Sequence, residues 1–219
     1  MNRSVPVRGQ AVLEAIRFAA DVASDPSGVV TLWKTATGGK AVGCLPATPV
    51  PELPHAAGLL PIALESPEDL SLLSDRIDAW IVGTDPLPFP DPAGKTPRFD
   101  FPRQPPGALE EALDRLEALA EWACAVSGSP ASEGSLWKSI RAHAIRRSLL
   151  AALDGRCARE TGFMTAEERR TTLRAGIFLP PEAHTRLLSQ ILGVHAESLP
   201  VPAEGERGDP LIVLAKRLL

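Results

Sequence analysis

The stretch from Lys40 to Gly83 reads KAVGCLPATPVPELPHAAGLLPIALESPEDLSLLSDRIDAWIVG. Lys40 to Leu45 is a short apolar run behind Gly38 and Gly39, which suits a buried strand. Pro46, Pro49, Pro51 and Pro54 then forbid regular pairing. Glu52 to Gly58 fits a short helix that starts among those prolines, with Gly58 in the C-terminal turn. Leu59 to Leu64 reads as a second strand, and Pro61 places it at an edge or a bulge. Ser66-Pro67-Glu68-Asp69 is a helix start: a hydroxyl cap, a proline in the first turn, then acids facing the helix dipole. That helix turns Leu70, Leu73 and Ile77 inward, and Asp78 to Gly83 is a third strand. The order β–α–β–α–β predicts an α/β fold built on a short parallel, three-layer, Rossmann-like sheet.

Upstream, Gln10 to Ser24 is amphipathic at helical spacing through Val12, Ile16, Ala19 and Ala20, with Leu13 beside them. Asp25-Pro26-Ser27-Gly28 reads as the turn that ends it. Downstream, residues 84–107 are a proline-rich connection, within which Arg98 to Phe101 fits a fourth short strand. From Ala108 the chain turns helical. Leu109, Ala112, Leu113, Leu116, Leu119, Ala120 and Ala123 form one stripe closed by Gly128. Leu136, Ile140, Ala144, Leu149 and Leu153 form the next, with Gly155 expected to end it. Thr165 to Glu168 is a capping box for a third helix, and Pro180-Pro181-Glu182 opens a fourth. Residues 199–209 read as a linker to Leu211–Leu214, a strand or a last helical turn. The expected organisation is an α/β domain over 1–106, a helical segment packed on it over 107–198, and a linker with a terminal element over 199–219.

The 219 residues carry a formal net charge of −4, with 44% hydrophobic and 23% charged residues, an ordinary globular composition. No basic stripe exists, so nucleic acid is not an expected partner. No apolar run reaches the roughly 20 residues that span a bilayer. Met1 to Gln10 has arginines but no apolar core behind them, unlike a signal peptide. The expectation is a cytoplasmic chain with no membrane contact. The three cysteines, Cys44, Cys124 and Cys157, are too few and too scattered for a disulfide framework, a zinc site or a self-contained four-cysteine cluster. No metal site is expected.

Glu52 and His55 are the most chemical-looking pair. Three residues apart on a helix they share a face, as an acid/base pair does, or as a capping acid beside a half-buried histidine does. Cys44 and Asp85 fall near the carboxyl ends of the first and third strands, where α/β sheets bind ligands; Cys44 equally suits a core position and Asp85 a turn before Pro86. Arg146-Arg147 suits either CoA phosphates or a solvated helix face. Gly38-Gly39-Lys40 lacks the spacing of a phosphate-binding loop.

Three segments in order carry a resemblance. Val42 to Pro61 is similar to a strand followed by a "P-x-E-L-I-x-A-A-G-x-x-P" helix and strand. Phe99-Asp100-Phe101-Pro102-Arg103 resembles an "L-D-L-P-R" strand ahead of a long helix. Ser132 to Leu153, through Leu136, Ile140, Arg146, Arg147 and Leu150, resembles a helix of the form "L-x-x-A-I-x-x-x-N-x-x-R-x-L-L". Together they resemble the N-terminal part of the 2-hydroxyacyl-CoA dehydratase subunits, a family shared with the dehydratase-like benzoyl-CoA reductases.

The resemblance implies two similar α/β domains and a cysteine-held [4Fe–4S] cluster that passes single electrons to an acyl-CoA. It also implies ligand cysteines where this chain has Thr84-Asp85 and Pro97-Arg98. The second domain is expected to be missing, since the chain ends at Leu219. The resemblance therefore points to a truncated, cluster-less relative, a binding or accessory module with a protein partner or a second copy. The alternative is a genuine dehydratase or reductase subunit that adds surface to an acyl-CoA site, with the [4Fe–4S] cluster supplied by or shared with a partner chain.

Overall fold

The structure, a computed structural model, describes residues 9–45, 50–64, 66–83, 96–101 and 108–195, together with Leu211, Val213 and Leu214. The chain is α/β. It divides into two compact units, Met1–Val29 with Ala142–Val201, and Val30–Arg141 with Pro202–Leu219.

The second unit is built on four parallel strands: β1 (Ala41–Leu45), β2 (Leu60–Ala63), β3 (Ala79–Gly83) and β4 (Arg98–Phe101), in the order β2-β1-β3-β4. The expected strands stand within one or two residues of their ends, and β2, with Pro61, is an edge strand. A proline there pairs opposite Val42 without demanding a donor on the outer side.

Period-two alternation divides the side chains of the sheet. Val42, Cys44, Ala79 and Ile81 lie in one buried cluster with Leu53 and Ala56 of α3 (Glu52–Ala56) and with Leu113, Leu116, Leu119 and Ala123 of α5 (Leu109–Ser127). Ala41, Gly43, Trp80 and Ile62 fall on the opposite pleat by register. With the right-handed crossovers that parallel strands adopt as a rule, α3, between β1 and β2, and α4 (Pro67–Leu73), between β2 and β3, are expected on opposite faces, because the chain moves in opposite directions along the sheet. Leu70 and Leu73 of α4 are buried as expected, while Ile77 is buried just beyond a 3-10 turn, Ser74–Arg76.

Local chemistry accounts for the helix starts. Ser66 Oγ accepts the Asp69 N–H with Pro67 in the first turn. In the first unit, Thr165 Oγ1 accepts the Glu168 N–H and the Glu168 carboxylate accepts the Thr165 N–H, closing the capping box of α7 (Ala166–Phe178). Thr165→Ala should cost about 1 kcal/mol, read as a lowered midpoint in urea with an unchanged slope.

Two expectations need correction. Asp25-Pro26-Ser27-Gly28 does not only end α1 (Gln10–Ser24); it also starts α2 (Pro26–Thr37), with Asp25 Oδ1 accepting the Gly28 N–H at 2.9 Å. The turn-like composition is an N-cap with proline behind it. Gly155 does not end the long helix either. α6 runs from Glu133 to Arg159, through Gly155, because the helix-favouring Leu150, Ala151, Ala152, Leu153 and Arg156 around it outweigh a glycine cost of about 1 kcal/mol.

The compact units do not coincide with the boundaries expected at 106 and 198. The buried face of α1 (Ala15, Ile16, Ala19, Val22) meets α7 and α8 (Pro181–Leu192), so α1 belongs to a helical unit rather than to the sheet. α5 packs on α3 and β4, so it belongs with the sheet. Leu211, Val213 and Leu214 are helical, which decides between the two readings of that segment, and Leu214 is buried in the sheet unit's core.

Asp78 fastens the amino end of the sheet. Its carboxylate accepts the Ala41 N–H at 2.8 Å and pairs with Lys34 of α2 at 2.7 Å, while Lys34 also donates to the Arg76 carbonyl. Lys40 donates to the Val126 carbonyl at the end of α5.

Candidate functional site

The strand order reverses between β1 and β3, since the chain leaves β1 to one side for β2 and returns to the other side for β3. In an open parallel sheet the carboxyl ends of two such strands part to leave a crevice, the usual ligand position. Here those ends are Leu45 and Gly83. Residues 46–49 and 84–95, and Asp85 among them, lie outside the described residues.

Cys44 is the penultimate residue of β1. Its pleat turns the side chain into the cluster formed with Leu53, Ala56 and Ile81, not along the strand axis towards the crevice. It is 2% exposed, and Sγ lies 3.8 Å from the Val42 carbonyl oxygen. Cys44 thus behaves as a small core residue.

Glu52 and His55 do share α3, and the structure brings a third group to them that the sequence reading missed, Ser139 of α6. Ser139 Oγ donates to the Glu52 carbonyl at 2.8 Å and lies 2.8 Å from His55 Nδ1. A hydroxyl has one proton. With that proton on the Glu52 carbonyl, His55 Nδ1 carries the hydrogen and donates to Ser139 Oγ.

The direction of that bond decides what the trio can do. A serine nucleophile must give its proton to the histidine, which needs the opposite polarity. Ser139 is also 1% exposed and Glu52 is buried, so neither meets a substrate as they stand. The trio clamps the short α3 to α6. Its signal in the sequence is a serine on the apolar stripe of α6, between Leu136 and Ile140, where a buried hydroxyl needs a partner.

The other cysteines are likewise committed. Cys124 Sγ accepts the Ala131 N–H, fixing the turn between α5 and α6. Cys157 lies inside α6, and burial pushes its thiol above the usual range, against Arg169 and with Asp154. The thiol is thus disfavoured as a thiolate, the form that binds metal or attacks. Three cysteines cannot supply four thiolates, and among the described residues no three His, Cys, Asp or Glu side chains converge to hold a metal. The donor set does not fit a [4Fe–4S] cluster held by this chain alone. Among the described residues, no helix is long and apolar enough to cross a membrane.

In the helical unit, Arg146 lies on α6 and lowers the pKa of His184 on α8, although burial is the larger cause. His184 is 0% exposed; its Nε2 meets the Thr172 carbonyl at 3.1 Å and its Nδ1 has no hydrogen-bond partner among the described residues. Arg147 is exposed on α6, as a solvated helix face has it. No protein-family model matches the chain, and no curated protein matches it.

Proposed function

We propose that this chain is a cluster-less relative of the 2-hydroxyacyl-CoA dehydratase subunits that works as a binding, accessory module of a larger complex. The observation that carries this reading is the use to which its chemical side chains are put. Cys44 is enclosed in the core, and the His55 ring is joined through Ser139 to the main-chain carbonyl of Glu52, in a clamp whose proton runs the wrong way for nucleophilic catalysis. The succession of β1, α3 and β2, and the short β4 ahead of the long α5, agrees with the order of elements that the resemblance implies.

The reversal of strand order between β1 and β3, where open parallel sheets bind ligands, favours a second reading, in which the chain adds surface to an acyl-CoA site while a partner carries the cluster. Purification without oxygen, with iron and acid-labile sulfide measured per chain, tests both. The isolated chain should hold next to no cluster iron, and tagged chain from its own cells should return a stoichiometric complex with an acyl-CoA-processing, cluster-bearing subunit. Saturable acyl-CoA binding to the isolated chain by calorimetry selects the second reading. Stoichiometric cluster iron on the isolated chain overturns both.

A further inference from the structure

The outer edge of β4 is self-complementary. Among the described residues β4 pairs on one side only, with β3, so it is the second edge of the sheet. Its two pleats differ in kind. Phe99 and Phe101 pack against the core cluster, Phe99 with its ring 5.7 Å from Trp122 of α5. Arg98 and Asp100 stand on the other pleat, their side chains 46% and 67% exposed. Parallel sheets ordinarily have both faces covered. Over β4 one face is open, and the residues on it are one cation and one anion, two apart.

The backbone polarity of β4 follows from one bond. The Trp80 N–H donates to the Pro97 carbonyl, so position 97 turns its polar groups towards β3. In an extended strand such groups alternate, which turns those of 99 and 101 towards β3 as well, and those of Arg98 and Asp100 away from it. A strand added antiparallel at this edge must therefore bond through 98 and 100.

Only three twofold-symmetric registers bring outward-facing residues opposite each other near the middle of the strand. They set 98 opposite 98, 100 opposite 100, or 98 opposite 100. The first two place arginine against arginine or aspartate against aspartate, which is unfavourable directly across a ladder. The third places Arg98 of each copy opposite Asp100 of the other, twice, with the axis passing between the two Phe99 residues. A parallel addition cannot be twofold symmetric.

We propose that β4 is a self-association edge, at which a second copy of this chain adds antiparallel with Arg98 opposite Asp100, to give a continuous sheet through both protomers. About four backbone hydrogen bonds and two cross-strand ion pairs form in that register. β4 is four residues long and only Arg98 and Asp100 turn their polar groups outward, so the ladder stays short and the dimer is a weak, concentration-dependent one.

Sedimentation equilibrium of the full chain tests the register as well as the dimer. Wild type should dimerise as its concentration rises through the micromolar range. Asp100→Arg leaves arginines opposite arginines, and Arg98→Asp leaves aspartates opposite aspartates. Each variant alone should dimerise about tenfold more weakly or worse. An equimolar mixture of the two should recover dimer, because both charged positions of one chain are then arginine and face aspartate at both positions of the other. Neither variant retains the Arg98–Asp100 pair within its own strand, so recovery reads contacts between chains and not strand stability. A wild type that stays monomeric, variants that dimerise like wild type, or a mixture that stays monomeric each overturns the proposal. Should either variant unfold by circular dichroism, amide exchange at Arg98 and Asp100 of wild type decides instead: both must slow with rising concentration, and invariance overturns it.

Discussion

Between pH 7 and pH 4 the chain should lose about 3 kcal/mol of stability through His184 alone. His184 is fully enclosed on α8, and burial, with the Arg146 guanidinium adding to it, pushes its pKa from 6.5 down to about 4. Its bond to the Thr172 carbonyl opposes the shift without reversing it. In the unfolded chain the ring takes its proton near pH 6.5, while the folded chain refuses it until about pH 4. Between these values the unfolded state binds more protons, so stability falls as pH falls. It is fully present above the unfolded value and levels off below the folded one. His184→Gln keeps a donor for the Thr172 carbonyl and cannot titrate. In urea titrations across this window the variant should show a shallower fall than wild type, and the difference isolates His184 from the carboxylates. Parallel curves for the two proteins would refute the assignment.

That histidine also shows where sequence reading stops. The helix stripe on α8 is readable from Leu187, Leu188, Ile191 and Leu192, all buried. His184 has the look of an ordinary first-turn residue, and nothing local says that Gly176 of α7 leaves room for its ring. A β-carbon at Gly176 would stand 2.2 Å from His184 Cε1. Local chemistry carries further where the rule lies within four residues: Ser66 with Pro67, and Thr165 with Glu168, cap helices as their spacing predicts. Asp25 with Pro26 obeys the same rule yet reads as a turn, because Ser27 and Gly28 are common in both. The strands are legible as apolar runs between breakers, and Pro61 locates an edge. The unit to which α1 belongs is not, since an amphipathic helix shows its buried face but not what covers it.

The candidate site is legible in membership and not in meaning. Glu52 and His55 do share one helix, as three-residue spacing requires. Their partner Ser139 lies more than eighty residues away, and the polarity of the Ser139 bond, which separates a clamp from a nucleophile, exists only once α3 and α6 pack. Cys44 stays open between a core and a ligand reading, because a strand's pleat decides its direction and a pleat needs a register. The register Cys44↔Ile81 turns it inward with Ile81.

The same register sets the strongest packing prediction. Gly43 lies opposite Trp80 on the two central strands, and a β-carbon on Gly43 would stand 2.3 Å from Trp80 Cζ3 and 2.5 Å from Cε3. The indole lies across the space that any other residue at 43 would fill. Trp80 is 2% exposed, so it has no room to swing aside. Gly43→Ala should therefore cost about 1–3 kcal/mol by overpacking, although alanine is the better strand residue. Trp80→Ala should cost about 3–5 kcal/mol, from lost burial and the cavity it leaves.

The pair is coupled through one volume, so the two losses should not add. In the Trp80→Ala background the methyl at 43 enters vacated space, and Gly43→Ala should become neutral or slightly stabilising. Chemical denaturation of the four proteins of this cycle checks it, with the unfolding slope held constant across them. Additive losses would mean that the indole does not rest on Gly43, and that the glycine serves the backbone instead. A coupling that cancels the cost of Gly43→Ala would establish that the central strands of this sheet are held at their spacing by one glycine and one tryptophan, a match set by the pairing of β1 with β3 and invisible in either strand alone.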